Sequence, residues 1–446
     1  DIFGDKSLKL RGGTGLFAGR LPLVFFTNMP SNALMAQGSA VASTVYKNGT
    51  ITPDAVLNKF KGGLVTDVTK IRELLGAPAT ITPEQGSLPK NFAGVDHNFK
   101  MPQVWKTAIA IDGQVPVSFP LSFTAEFTFT KKIHDVMLDN YNIKSNDGWE
   151  TLKGTGDDRY VYPNDYRYYK NINSACVLTN TSKGYGWTFN FTVNAEPVQN
   201  LNLMAAYTHT VMKELTGMPG NNAYSTWSNM YAVQGPNFLE LGNSRYVIPD
   251  RLIASASYKY AKDHFSLFYT GYSPSGYSFY YDGDINGDGN RYDLMYIPKD
   301  ENDIHFTNPA DADLFWKFVN QDSYLKNHKG EYAEPYSARA PFVHRFDFRW
   351  AHDFDVKIGQ TKNKLVLSLD IMNVGNLFNS KWGVEKNMAG CNNGKILKVN
   401  KIVDGVPYFS MYKDKATGEA PTSTWSFNHN YNQCWKMQIG VKYVFN

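Results

Sequence analysis

The segment Cys434-Trp-Lys-Met-Gln-Ile-Gly-Val-Lys-Tyr-Val-Phe-Asn446 constrains the fold more than any other. Trp435, Met437, Ile439, Val441, Tyr443 and Phe445 share one face, while Lys436, Gln438, Gly440, Lys442 and Val444 occupy the other. A period of two belongs to a strand, because a helix rotates each side chain by about 100° from the last. An apolar face for lipid opposite a mostly polar one for a lumen is the pattern of a closing strand in an outer-membrane β-barrel.

The pattern recurs. Leu121, Phe123, Ala125, Phe127 and Phe129 alternate with Ser122, Thr124, Glu126, Thr128 and Thr130. Phe346, Phe348 and Trp350 alternate with Arg345, Asp347 and Arg349, and Leu365, Leu367, Leu369 and Ile371 with Val366, Ser368 and Asp370. Further candidate strands lie near 104–111, 186–194, 201–209, 252–260 and 264–270. No run of about 18 apolar residues exists to make a membrane helix, whereas barrel strands need only alternating stretches of about 10 residues. Aromatic residues make up 15% of the chain, as two interfacial girdles would require. The expected fold is therefore an all-β, transmembrane antiparallel β-barrel with long extracellular loops, and a soluble β-sandwich is the competing reading. A net charge of +4 without a basic helix or aromatic RNA motif argues against nucleic acid as a partner.

With a periplasmic carboxyl end, strand 434–445 descends, a strand near 380–388 ascends and strand 364–374 descends. Gly375-Asn-Leu-Phe-Asn379 is then a short periplasmic turn and 389–433 a long outer loop. Cys391 and Cys434 fall on the same outer side, where a disulfide can form. Asp1, without an initiator Met or apolar targeting core, reads as an internal position of a longer precursor.

The sharpest ligand motif is Asp282-Gly-Asp-Ile-Asn-Gly-Asp-Gly-Asn-Arg-Tyr-Asp293. Asp282, Asp284, Asn286, Asp288, Asn290 and Asp293 stand at positions 1, 3, 5, 7, 9 and 12, with Gly287 at the sharp turn, the spacing that wraps Ca²⁺. Asp282, Asp284, Asn286 and Asp293 are the foremost side-chain ligands, since position 7 normally supplies a carbonyl. Flanks at 277–281 and 294–297 read as strands, so this is a calcium-type loop without helices. The expected cofactor is structural calcium that stiffens an exposed loop, against a plain polar turn as the alternative.

Other motifs point to no bond chemistry. Gly12-Gly-Thr-Gly-Leu-Phe-Ala-Gly19 lacks the Lys-Ser/Thr end of a phosphate loop, and no nucleophile elbow or His-Glu-x-x-His occurs, so no enzyme is expected. Gly154-Thr-Gly156 before Asp157-Asp-Arg-Tyr160 reads as a solvent loop. Arg349, Asp347, Asp370 and Lys436 are expected to face inward as an ion-pair network, while His344 and His352 need partners that spacing does not identify. The stretches 160–169 and 218–228 mix aromatic rings with amides or charges, a combination suited to sugars or peptides and equally to loop cores.

Together, the terminal strand, Leu369-Asp-Ile-Met-Asn-Val-Gly-Asn-Leu-Phe-Asn379, the Asp282–Asp293 insertion followed by Leu294-Met-Tyr-Ile-Pro298, and Ser7-Leu-Lys-Leu-Arg-Gly-Gly-Thr-Gly-Leu-Phe-Ala-Gly-Arg20 resemble the carboxyl-terminal barrel region of TonB-dependent outer-membrane receptors, above all the Oar-like and related receptors of Bacteroidota. The resemblance spans most of residues 1–446. It implies an outer-membrane importer of a bulky nutrient (glycan, peptide or other ligand) driven by energy from the inner membrane. At about 40 residues per strand and loop, the chain would supply roughly 11 of about 22 strands, without the plug domain. The implied partners are the remaining barrel and plug portion, in cis or as another chain, the TonB complex acting through it, outer-membrane lipid, and a surface lipoprotein or extracellular ligand. A non-transporting surface scaffold or adhesion component, a soluble β-rich glycan-binding module and a β-rich glycan hydrolase are the other classes to separate from it.

Overall fold

The computed structural model describes residues 2–4, 7–27, 66–74, 76, 79–80, 82, 90–274 and 276–445. Among the described residues, ten strands form one antiparallel path: β1 (Leu8–Ala18), β2 (Gln103–Gln114), β3 (Leu121–Asn140), β4 (Tyr185–Val198), β5 (Leu201–Glu214), β6 (Asp250–Tyr260), β7 (Asp263–Tyr272), β8 (Val343–Ile358), β9 (Thr361–Met372) and β10 (Lys436–Val444). Asn91–Val95, Ser174–Thr181 and Gly242–Asn243 attach off this path. All the strands expected from alternation lie in the sheet except 380–388, and the flanks expected as strands at 277–281 and 294–297 form only Gly276–Tyr277 and Tyr296–Ile297, outside it.

The sheet is open, and this overturns the expected transmembrane barrel. Closure requires hydrogen bonds between the first and last strands. Here, among the described residues, β1 pairs only with β2, and β10 only with β9. The alternation defines two faces correctly, but two faces alone do not specify closure, which depends on shear and on what meets each edge.

Register carries the alternation across the sheet. Leu121, Ala195, Leu203, Ala256, Leu267, Phe348, Ile371 and Met437 are successive cross-strand partners from β3 to β10. On the opposite face Asn202, Ser257, Ser266, Arg349, Asp370 and Gln438 form a polar row. A slip of one residue would exchange the rows, so any cover on the apolar face fixes register strongly. The chain itself leaves that face uncovered at β10, where Ile439 is 70% and Val441 68% exposed. The Gly-rich segment lies in β1, where a Cβ at Gly12 would come 2.9 Å from the Ala108 carbonyl oxygen; close strand approach explains this glycine.

The connections divide by end. Residues 115–120, 199–200, 261–262 and 359–360 link successive strands tightly at one end. Asn200, Ala261 and Gly359 there take φ of 67°, 50° and 60°, the left-handed backbone that tight hairpins demand. At the other end the chain makes long excursions over 141–184, 215–249, 273–342 and 373–435. These excursions, together with the far end of β3, contain the hydrophobic core.

One cluster unites Phe279, Tyr281, Ile285, Met295 and Ile297 with Phe315, Phe318 and Val319 and with Met388, Ile396, Leu397 and Phe409. Helix α1 (Ala310–Gln321) contributes through Asp311, Phe315, Phe318 and Val319, one face of a helical period. Asp311 is held there by Lys413 at 2.8 Å and by the Met411 N–H at 3.0 Å. A second cluster joins Leu138, Cys176 and Leu178 to Ile143, Tyr162, Trp227 and Met230.

The sequence-based orientation of β9 is reversed. β9 leaves the tight 359–360 hairpin and runs toward the long-connection end, directly before β10 in the path. Residues 375–379 are not a tight turn there: Val374–Phe378 is a helix opening the 373–435 excursion. Asn373, at φ 52°, donates its backbone N–H to Asp347 at 2.7 Å and its amide to the Gln433 carbonyl at 2.9 Å. Asn376 accepts from the Trp435 N–H at 3.1 Å, so both ends of the excursion are tied together. Of residues 380–388, only Lys386–Asn387 forms a strand, pairing with Ser426–Phe427 outside the main sheet.

Candidate metal centre

The Asp282–Asp293 loop is pinned to the first core by Ile285, which is fully buried. Asp284 folds over the turn, accepting from the Gly287 N–H at 2.7 Å and the Gly289 N–H at 2.8 Å. Gly287 and Gly289 have φ of 81° and 85°, which other residues adopt only with strain. Asp293 accepts from the Ile285 N–H at 3.2 Å, closing the loop. The Tyr162 N–H donates to the Asn286 carbonyl at 2.7 Å, joining the loop to the second core.

Asp284, Asp288 and Asp293 converge, each with a carboxylate oxygen within 4.8 Å of the others. Asp284 is exposed and the other two are buried. Asp288 Oδ1 accepts from the Asn290 N–H at 2.6 Å, while Oδ2 is buried without a hydrogen-bond partner among the described residues. An orphaned anionic oxygen beside two more carboxylates fits a cation in the loop.

Asp282 points elsewhere, to Lys395 Nζ at 3.2 Å, and its backbone pairs with Leu397 and Val399. Asn286 Oδ1 accepts from the Asp288 N–H at 3.1 Å, and the Asn286 and Asn290 amide nitrogens are buried without hydrogen-bond partners among the described residues. The structure thus brings together Asp284, Asp288 and Asp293. It places the Asp288 side chain, where the sequence spacing suggested a backbone carbonyl, among the converging oxygens.

Electrostatics supports the same reading. Burial, joined by the charge of Asp284, pushes the Asp288 carboxyl up to about 6. Burial, with the nearby charges of Asp288 and Asp284, lifts Asp293 well above the ordinary carboxylate range, against the pull of Arg159. A cation removes the mutual repulsion that makes ionisation costly here. An all-oxygen donor set selects a hard divalent ion over zinc or copper.

Among the described residues Arg159 is the largest fully buried side chain, although its segment reads as a solvent loop. It contacts Asp157 at 2.8 Å, donates to the Leu294 carbonyl at 2.7 Å, and lies 5.1 Å and 5.4 Å from the Tyr281 and Tyr332 ring centres. Burial works against its charge, but Asp157, Tyr281 and Asp293 more than offset this and hold its pKa above the usual value. The missed signal was an Asp-x-Arg pair, whose burial depends on partners more than a hundred residues away.

Elsewhere, Arg349 meets Asp370 at 3.0 Å on the polar face, whereas Asp347 caps the Asn373 N–H and Lys436 reaches Asn432 at 3.3 Å. His344 bonds Tyr269 at 2.8 Å and His352 bonds Asp263 at 2.8 Å. The 160–169 aromatics divide: Tyr162 and Tyr166 pack with Trp149 in a core, and Tyr168 and Tyr169 are exposed. The three cysteines are free thiols, so Cys391 and Cys434 are not joined.

No family model matches the chain, and no curated protein matches it. Among solved structures it is similar to the outer membrane transporter YddB from Escherichia coli, with 10% identity and a TM-score of 0.36. The match covers 81% of this chain and 35% of that one, so this chain spans about a third of the transporter's length.

Proposed function

We propose that the chain is the ligand-capturing part of an outer-membrane, TonB-dependent importer of a bulky nutrient. The observation that carries this reading is the separation of ends: tight hairpins at one end of the sheet, every large folded excursion at the other, and a continuous apolar row between them. That polarity gathers the recognition surface at one end of a sheet that carries an exposed apolar face. Calcium is the cation assigned to Asp284, Asp288 and Asp293, with a structural role in holding the recognition body.

The test is to recover the native protein from outer-membrane preparations and measure nutrient uptake with and without a protonophore. Membrane recovery, together with uptake that the protonophore abolishes, is expected. Release without detergent would overturn the membrane reading. Surface binding without energy-dependent uptake would replace the importer with a scaffold.

A further inference from the structure

Beside the carboxylate loop lies a cavity of about 550 Å³ built from three separate excursions. Tyr231 comes from 215–249, Tyr280, Tyr292 and Tyr336 from 273–342, and Asn393 from 373–435. Its volume falls within the range of small-ligand sites, about 300–1,000 Å³. The Tyr231 ring meets those of Tyr280, Tyr292 and Tyr336 edge to face at 5.1, 5.2 and 5.4 Å, while Tyr280 and Tyr292 stack at 5.6 Å. The result is a rigid aromatic wall carrying phenolic hydroxyls.

The backbone around this wall is held in uncommon conformations. Tyr336 and Asn393 have φ of 53° and 55°, and a Cβ on Gly276 would collide with the Tyr336 carbonyl. The Tyr336 N–H is fixed by Ser278 Oγ at 2.8 Å. Left-handed non-glycine residues are strained, and such strain concentrates at ligand clamps.

Arg245 is the charged side chain on the lining. It lies over the Tyr246 ring at 5.9 Å and pairs with no carboxylate among the described residues. Glu214, close to Arg245 across Gly217, gives Oε2 to Lys132 at 2.9 Å, and its Oε1 is buried without a hydrogen-bond partner among the described residues. The lining therefore offers a cation, phenols and the amides of Asn229 and Asn393, but no carboxylate to receive an ammonium group.

We propose that this cavity binds an acidic saccharide, with the pyranose C–H face on the tyrosine wall, the hydroxyls on phenols and amides, and a uronic carboxylate on Arg245. Aromatic faces suit sugar C–H surfaces, and the planar guanidinium fork suits a carboxylate. With no carboxylate on the lining to pair an ammonium group, a zwitterionic amino acid is disfavoured. The proposal supplies a ligand class for the receptor reading and rests on it only for uptake; binding itself requires no transport.

The experiment is calorimetric titration of the full purified chain with trigalacturonate, and with a neutral trisaccharide of the same linkage. Preference for the acid by about tenfold or more is expected, the worth of one charge-assisted hydrogen bond. Arg245→Gln should erase that preference and keep weak binding of the neutral sugar, Arg245→Lys should restore part of it, and Tyr292→Ala should weaken both sugars. Melting curves identify any variant that fails to fold, in which case competition by free galacturonate against wild-type protein provides the same discrimination. Equal affinity for acid and neutral sugar, absence of binding by wild type, or full acid preference in Arg245→Gln overturns the proposal. Uronate binding without uptake sinks the importer and leaves the site standing; uptake without uronate binding does the reverse.

Discussion

Arg159 Nε lies 2.8 Å from Asp157 Oδ1 with both side chains closed off from water, two residues apart in a chain segment that joins no strand of the main sheet. The pair links the 141–184 and 273–342 excursions through Leu294 and the rings of Tyr281 and Tyr332. Removing one partner leaves the other charge buried alone, which costs about 3–5 kcal/mol. Arg159→Met should therefore open the loop body locally, read as faster amide exchange at 279–297. Hairpins of the main sheet should retain wild-type protection. Unchanged exchange at 279–297 would show that the pair contributes little to this packing.

Cation binding should stabilise the protein, with a ligand at 100 times its dissociation constant adding about 2.7 kcal/mol to the folded state. Chelation should lower the melting temperature and calcium restore it. Because burial raises the Asp288 pKa to about 6, its proton stabilises the cation-free fold below the unfolded value, and that contribution is lost as pH rises through about 6. Asp288→Asn should consequently match or exceed wild-type stability in chelator at pH 7.5, while losing the calcium response. A full calcium response in this variant would remove Asp288 from the site.

The thiols should separate cleanly. Burial pushes Cys176 and Cys391 each up to about 12, and a thiol that stays protonated and enclosed is a poor nucleophile. Cys434 is exposed. Iodoacetamide at pH 8 should label Cys434 in the native protein and all three cysteines after denaturation, as read by peptide mass spectrometry. A Cys391–Cys434 disulfide peptide would contradict the packing of Cys391 against Met388 and Thr424.

Leu267 sits between Ala256 and Phe348 in the middle of the apolar row. Leu267→Arg should cost about 2–4 kcal/mol if that face meets lipid, and little more than about 0.5 kcal/mol if it meets water. Denaturant unfolding in lipid vesicles separates the two outcomes.

Much of the sheet was legible because alternation is local. Met437, Ile371 and Phe348 each stand out in their own strands before any pairing is known, and register then aligns them. The Asp282–Asp293 loop was legible for the same reason: its oxygens and glycines fall within one short segment. The helix Ala310–Gln321 and the buried Arg159 were not, since their environments are made by partners from other excursions. The 375–379 segment misled because Gly and Asn suit a tight turn and a helix-opening clamp equally, and only the reach of Asn373 to Gln433 and Asn376 to Trp435 distinguishes them.

By itself, the sequence determined strands with one apolar and one polar face, and a loop able to gather oxygen ligands, because both properties repeat or close over a few residues. The tertiary structure decided that the sheet stays open, that Asp288 replaces Asp282 in the carboxylate cluster, and that tyrosines from separate excursions share one wall. Those outcomes depend on edge pairing and long-range packing, whose energies are set by residues that become neighbours only when the chain has folded.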